Sequence, residues 1–216
     1  MKPEDSFALS TPCCSERDLT QLLAGLGLFT PTVQAALDLA KLVHENQKRD
    51  DGSPYLDEHV YPIAEAVAKY FKERSVVSGN LPHAEIAVAT ALLHDVLEDS
   101  RTMSREDIER QVGPVAAEAV AFLTKPSYED LGNVSRIERE RVYFDNLAFA
   151  PDWVKTIKLF DRINNLQCLH KSGPLKRRHY LTETLQFHLP MAKEIDQGLA
   201  TRIQSLVSRL QTIESH

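Results

Sequence analysis

Apolar residues recur at intervals of three and four along nearly the whole chain. Leu19, Leu22, Leu23 and Leu26 form one such set, and Val33, Ala36, Leu37, Ala40 and Val43 form another. This spacing returns side chains to one face of a 3.6-residue helix, and no convincing alternating pattern of a half-buried strand appears. Residues that start helices punctuate the pattern: Thr30 before Pro31, Ser104 ahead of Asp107, Gly113 before Pro114 and Ser135 ahead of Glu138. The spacing predicts helices at about 15–26, 31–48, 59–73, 82–99, 104–111, 114–123, 135–149, 151–171 and 175–213. The last is expected to be interrupted at Pro190, as two helices or one kinked helix, because the ring removes a donor and clashes with the preceding turn. Two stretches rich in Gly, Pro and Asp, 49–58 and 124–134, read as surface loops. The expected fold is all-α, a single compact bundle of about 8 to 10 helices over 15–216, after a flexible tail at 1–14.

Composition narrows the class. The chain has 216 residues, 43% of them apolar, enough to bury a core without disulfides or metal staples. Its 25 Lys and Arg stand against 31 Asp and Glu, a net charge of −6, which argues against a general nucleic-acid coat. Three cysteines, Cys13, Cys14 and Cys168, make no disulfide framework, and a reducing, cytoplasmic setting is expected. The opening MKPEDSFALSTPCC lacks the apolar run of a signal peptide, and no window approaches the ~18 apolar residues of a membrane span. The composition leaves oligomeric state open.

Candidate chemistry concentrates in ATALLHDVLEDS, residues 89–100. On one continuous helix, His94 and Glu98 would lie about 40° apart, and so would Asp95 and Asp99, on a polar side opposite Leu93, Val96 and Leu97. Carboxylates near a helix C-terminus are opposed by its dipole, at about 0.3–1 kcal/mol each, unless a cation compensates. A bound metal would do so, but two ligands make no site. Further candidates are His59 in PYLDEHVYP and Asp161 in VKTIKLFDRINNL, both in apolar surroundings. Two imidazoles and two carboxylates suit Mn²⁺, Zn²⁺ or Fe²⁺ without choosing among them.

The ordered set His59, His94-Asp95 and Asp161 resembles the H, HD, D signature of the HD metal-dependent phosphohydrolases. QKRDDGSPYLDEH, ALLHDVLEDS, VGPVAAEAVAFLTK and IKLFDRINNL are similar, in order, to blocks of the RelA/SpoT-type hydrolase domain and the small alarmone hydrolases, over about residues 33–200. The resemblance implies an all-α hydrolase acting on the 3′-pyrophosphate of guanosine tetraphosphate and pentaphosphate, usually with Mn²⁺. It implies that His59, His94, Asp95 and Asp161 hold the metal and that Glu98 and Asp99 are the catalytic acidic pair. It also implies that Arg49 packs on the guanine, that Asn165 contacts the nucleoside, and that Arg162 and Lys125 bind substrate. A chain of 216 residues further suggests hydrolysis without a companion synthetase.

Three departures accompany the likeness. Asp50 follows Arg49 where the family has Lys, one extra residue separates Tyr55 from His59, and Cys168 stands in place of a threonine. Asp50 and Cys168 favour, as an alternative, an HD-type phosphatase for another nucleotide. A second alternative, a nucleotide-sensing module without turnover, is opposed by the intact Glu98 and Asp99. Outside the blocks, KSGPLKRRHY at 171–180 reads as a solvated helix start and Trp153 as a packing residue. Cys13 and Cys14 read as inert tail thiols, and His44 as no more than a neighbour of the site.

Overall fold

In the computed structural model, which describes residues 11–78, 84–132 and 134–214, several helices begin where a side-chain acceptor caps the first turn. Ser15 caps α1 (Glu16–Gly25) by accepting from the Asp18 N–H, and Thr30 caps α2 (Pro31–His44) by accepting from the Val33 N–H. A wide π turn, Leu56–Val60, leads into α3 (Tyr61–Ser78). Next come α4 (Ala84–Leu93) and the single turn α5 (Val96–Asp99). Ser104 and Asp107 form a reciprocal capping box on α6 (Arg105–Val112). Gly113, at φ 107°, then makes the corner into α7 (Pro114–Leu123), a conformation that a side chain would strain. The chain finishes with α8 (Arg136–Ala148), α9 (Asp152–Cys168), α10 (Pro174–Glu183), α11 (Leu189–Ile195) and α12 (Gln197–Glu214).

Helix α4 is apolar all round, and Ala87 to Leu93 are all buried, as befits a helix inside a bundle. It packs on α2, α3, α7 and α9. Helix α9 is the second central element, touching α3, α4, α7, α11 and α12. It buries polar side chains as well as apolar ones: Lys158, Asp161, Arg162 and Asn164 lie within the bundle. Buried polar groups need partners, so α9 marks where the chemistry lies. Among the described residues there is no strand, only an isolated bridge between Lys48 and Pro54. No helix among them is long and apolar enough to cross a membrane.

Three expectations change. The helix foreseen at 82–99, whose first two residues lie outside the described set, is not continuous: α4 stops at Leu93, and His94 and Asp95 form a break. Asp95 sits at φ −106°, ψ −3°, and its carbonyl accepts from both Glu98 and Asp99 N–H groups. Adjacent residues on an unbroken helix diverge by about 100°, so the break lets both side chains face one point. The final segment does not break at Pro190. A π turn, Thr184–His188, absorbs the change of register there, and Pro190 lies in the first turn of α11, where its missing N–H costs nothing. The true interruption is Asp196, extended at φ −155°, whose Oδ1 caps the N–H groups of Gly198 (2.7 Å) and Leu199 (3.0 Å). Within the tail expected at 1–14, residues 1–10 lie outside the described residues. Cys14 is buried in the core, and its N–H donates to the Asp57 carbonyl at 2.9 Å.

Candidate metal centre and cleft

Three elements bring ligand-type atoms to one point: the π turn before α3 supplies His59, the α4–α5 break supplies His94 and Asp95, and α9 supplies Asp161. His94 Nε2 lies 3.2 Å from His59 Nε2. Asp95 Oδ2 lies 3.0 Å from the first and 3.2 Å from the second. Asp161 Oδ1 lies 3.6 Å from His59 Nε2. Donor atoms of His59, His94 and Asp161 all fall within 4.8 Å of one another, and these three residues are buried.

The surroundings orient these donors. His59 Nδ1 pairs with Asn164 Oδ1 at 2.8 Å, and His94 Nδ1 with the Ala91 carbonyl at 2.8 Å. A carbonyl oxygen only accepts, so each Nδ1 carries a proton, and in the neutral ring that a metal ion requires each Nε2 faces inward with its lone pair. Tyr55 donates its hydroxyl to Asp95, Lys158 Nζ lies 2.9 Å from Asp161 Oδ2, and Asn165 Nδ2 donates to Asp161 Oδ1 at 2.5 Å. Burial alone would lower the His94 pKa, yet Asp95 and Asp161 raise it to about 9. Burial likewise opposes the charge on Asp95, but His94 and His59 hold that carboxyl well below its usual range. Two imidazole nitrogens and two ionised carboxylates around one buried point fit a divalent cation of borderline or hard character.

A polar cleft of about 330 Å³ opens from this cluster. Its lining includes the acids Glu98 and Asp99 and the cations Lys125, Lys158 and Arg162. Glu98 Oε1 accepts from the Lys125 backbone N–H at 2.7 Å. Close packing around its carboxyl, and then the Asp95 charge, raise the Glu98 pKa. Asp99 accepts from Gln47 at 2.9 Å. Arg49 stands at the outer end, held by Asn164 Oδ1 (3.3 Å) and Asn165 Oδ1 (3.1 Å). It rides on a tight reversal in which its own N–H donates to Ser53 O and Gly52, at φ +84°, returns a bond to its carbonyl. Two ion pairs tie this reversal to the chain that follows α9: Asp50 with Lys176, and Asp51 with Lys171 at 2.6 Å.

Every residue singled out from the sequence for metal, catalysis or substrate reaches this cluster or its cleft. The segment 171–180, read as a solvated helix start, instead contributes Lys171, Lys176 and Tyr180 to the cleft lining. Sequence reasoning did not reach Tyr55, Lys158 or Asn164, although the last two lie in the same block as Asp161. Nor did it reach the buried pair behind Arg162. That guanidinium donates through Nη2 to Glu183 and through Nε to His188 Nε2 at 3.2 Å. Glu183 and His188 stand a helix and a turn away in sequence, with no local pattern to mark them. His44, buried on α2, pairs with Gln47 at 2.5 Å and lies 3.8 Å from Asp99. Trp153 packs on the core, as expected.

A family model described as HD domain matches residues 36–198. Among curated proteins, a guanosine-3′,5′-bis(diphosphate) 3′-pyrophosphohydrolase of Aquifex aeolicus is 30% identical over 186 residues, covering 83% of this chain and 24% of that protein. A GTP pyrophosphokinase rsh of Brucella melitensis is 29% identical over 168 residues, 77% of this chain and 21% of the other. A probable GTP diphosphokinase RSH3, chloroplastic, of Arabidopsis thaliana is 30% identical over 159 residues, 72% and 20%. The chain thus spans about a fifth to a quarter of the length of these relatives. A solved structure described as "A metazoan ortholog of SpoT hydrolyzes ppGpp and plays a role in starvation responses" superposes with a TM-score of 0.64. It is 22% identical and covers 83% of this chain and 96% of its own, a likeness of fold.

Proposed function

The chain belongs to the HD-domain family, and from that premise we propose that it is a cytoplasmic, metal-dependent hydrolase that removes the 3′-pyrophosphate from guanosine tetraphosphate or pentaphosphate. The products are GDP or GTP and pyrophosphate. One observation carries the reading: the donors of His59, His94, Asp95 and Asp161 converge at the head of a cleft that also holds Glu98 and a wall of cations.

These four residues would hold the ion, with Mn²⁺ the favoured one by resemblance. When bound, it supplies Lewis acidity toward a phosphoryl oxygen and the attacking water. Glu98 takes the proton of the water that attacks the 3′-linked phosphorus, and its raised pKa makes it a better base than an ordinary carboxylate. Asp99, fixed by Gln47, orients that water. Lys158 keeps its proton because Asp161 raises its pKa despite burial, so it remains a cation beside the reacting phosphate. The bond between the 3′-oxygen and that phosphorus breaks, the proton taken up by Glu98 passes to the departing 3′-oxygen, directly or through solvent, and Lys125 and Arg162 hold the oxygens of the released pyrophosphate. Arg49, with its plane set by Asn164 and Asn165, stacks on the base, and Asn165 meets the nucleoside.

Incubating the purified chain with guanosine tetraphosphate and Mn²⁺ tests this. Pyrophosphate release that chelation abolishes is the expected outcome, and a folded, metal-loaded protein that releases none would overturn the substrate. The second reading, a phosphatase for another nucleotide, is favoured by Asp50, whose carboxylate takes up the Lys176 charge at the cleft mouth. It predicts monophosphate release from a nucleotide panel and little action on the alarmone.

A further inference from the structure

On the face of α9 turned away from the cleft, α3 and α12 hold open a second cavity, a groove of about 550 Å³. This volume lies within the roughly 300–1,000 Å³ of small-molecule sites. Its floor is apolar, formed by the buried side chains of Ile63, Phe160, Ile163 and Leu199. One charge in its wall has no counterpart. Arg202, half-buried on α12, makes no hydrogen bond or ion pair among the described residues, and burial lowers its pKa with no carboxylate acting against that effect. The acids along the groove are otherwise engaged or solvated: Glu65 pairs with Lys69 at 2.6 Å, and Glu73 is exposed.

The groove also reaches the machinery of the cleft. Its inner end is Asn164, whose Oδ1 accepts from His59 and from Arg49 and whose Nδ2 donates to the Glu58 carbonyl at 3.1 Å. A single side chain therefore separates an occupant of the groove from a metal-ligand candidate and from the loop arginine.

We propose that this groove is a second ligand site, taking a small molecule with an apolar body and one anionic head, a medium-chain carboxylate, with the head on Arg202 and the body along the Ile63–Ile163 floor beside Asn164. An apolar floor draws the chain out of water, and a guanidinium without a partner gives a carboxylate two parallel hydrogen bonds. The site stands independently of the hydrolase reading, because neither Arg202 nor the floor residues enter it.

Decanoate is the probe, titrated into the 216-residue chain by calorimetry and by ¹H–¹⁵N NMR. Wild type is expected to show one saturable site and a shift of the Asn164 side-chain amide. Arg202→Gln weakens binding by about tenfold or more, and Arg202→Lys restores part of it. Ala66→Phe, which fills the groove from α3, abolishes it. Decyltrimethylammonium, with the same chain and the opposite charge, binds at least tenfold more weakly by the same reasoning. No saturable binding to wild type, equal binding to Arg202→Gln, equal binding of the cation, or an unmoved Asn164 amide would each overturn the proposal. Should Arg202→Gln fail to fold, Ala66→Phe and the cationic probe still decide it.

Discussion

At the scale of single residues, the cluster divides into groups that would hold an ion, groups that orient those, and groups that would act on water. Glu98 belongs to the last, since among the described residues its hydrogen bond is to the Lys125 N–H and none joins it to the four converging donors. Glu98→Gln is therefore expected to retain Mn²⁺ while losing about 10²- to 10⁴-fold in kcat, as measured by pyrophosphate release beside metal analysis of the purified variant. Asn164 orients: without its Oδ1, His59 loses the acceptor that fixes its proton on Nδ1. Asn164→Ala should weaken metal affinity about 10- to 100-fold, read by titration against a chelator. His188 offers a pH test away from the ion. Burial, and then the Arg162 charge, lower its pKa well below 6.5, so it is neutral in the fold, whereas in the unfolded chain it takes a proton below about 6.5. Its contribution is complete above that pH and is lost as pH falls, by up to about 1.4 kcal/mol per unit. His188→Gln keeps an acceptor for Arg162 and should flatten the fall in stability between about pH 6.5 and 5 relative to wild type, followed by urea unfolding at stepped pH.

Among elements, Asp196 is the joint on which the last two helices turn. It caps α12 through Oδ1, while Oδ2 receives Tyr70 at 2.9 Å and Arg74 at 2.6 Å from α3. Asp196→Ala should cost about 1–2 kcal/mol, read as a lowered midpoint of thermal unfolding. Nothing in the chain near Asp196 announces this role, because two of its partners are remote in sequence. The caps at Thr30, Ser104 and Ser135 were legible because a cap and its N–H lie three residues apart. Periodicity likewise marked α2, α7 and α9, whose apolar faces repeat within their own length. It could not mark the break at His94–Asp95, since ATALLHDV continues a helical pattern and only the convergence with His59 and Asp161 from other elements makes the bend worthwhile. The π turns at Leu56–Val60 and Thr184–His188 are hidden for the same reason: each keeps helical residues while shifting register by one. The four converging ligand types were legible through block order, but their orienting partners were not, because Tyr55 and Asn164 act through contacts that no spacing encodes.

Across the whole molecule, the converging donors join three segments far apart in the chain, around residues 59, 94–95 and 161. In the folded bundle they gather two carboxylates and two imidazoles in a nearly buried space, an arrangement that unfolding disperses. An ion that binds there binds the fold and not the unfolded chain, so mass action must stabilise the whole bundle. At a free Mn²⁺ concentration of a hundred times the dissociation constant, the gain is about 2.7 kcal/mol. For a bundle of this size that corresponds to a rise of roughly 5–10 °C in the unfolding midpoint. Asp161→Asn removes one charge while leaving a similar shape on α9; it leaves buried Lys158 without its carboxylate and so lowers the midpoint in chelator as well, but it should abolish most of the rise that Mn²⁺ gives. Differential scanning calorimetry of both proteins, with Mn²⁺ and with chelator, checks this. Equal rises in the two would place the ion elsewhere on a surface of net charge −6, and the convergence on α9 would then have some other purpose.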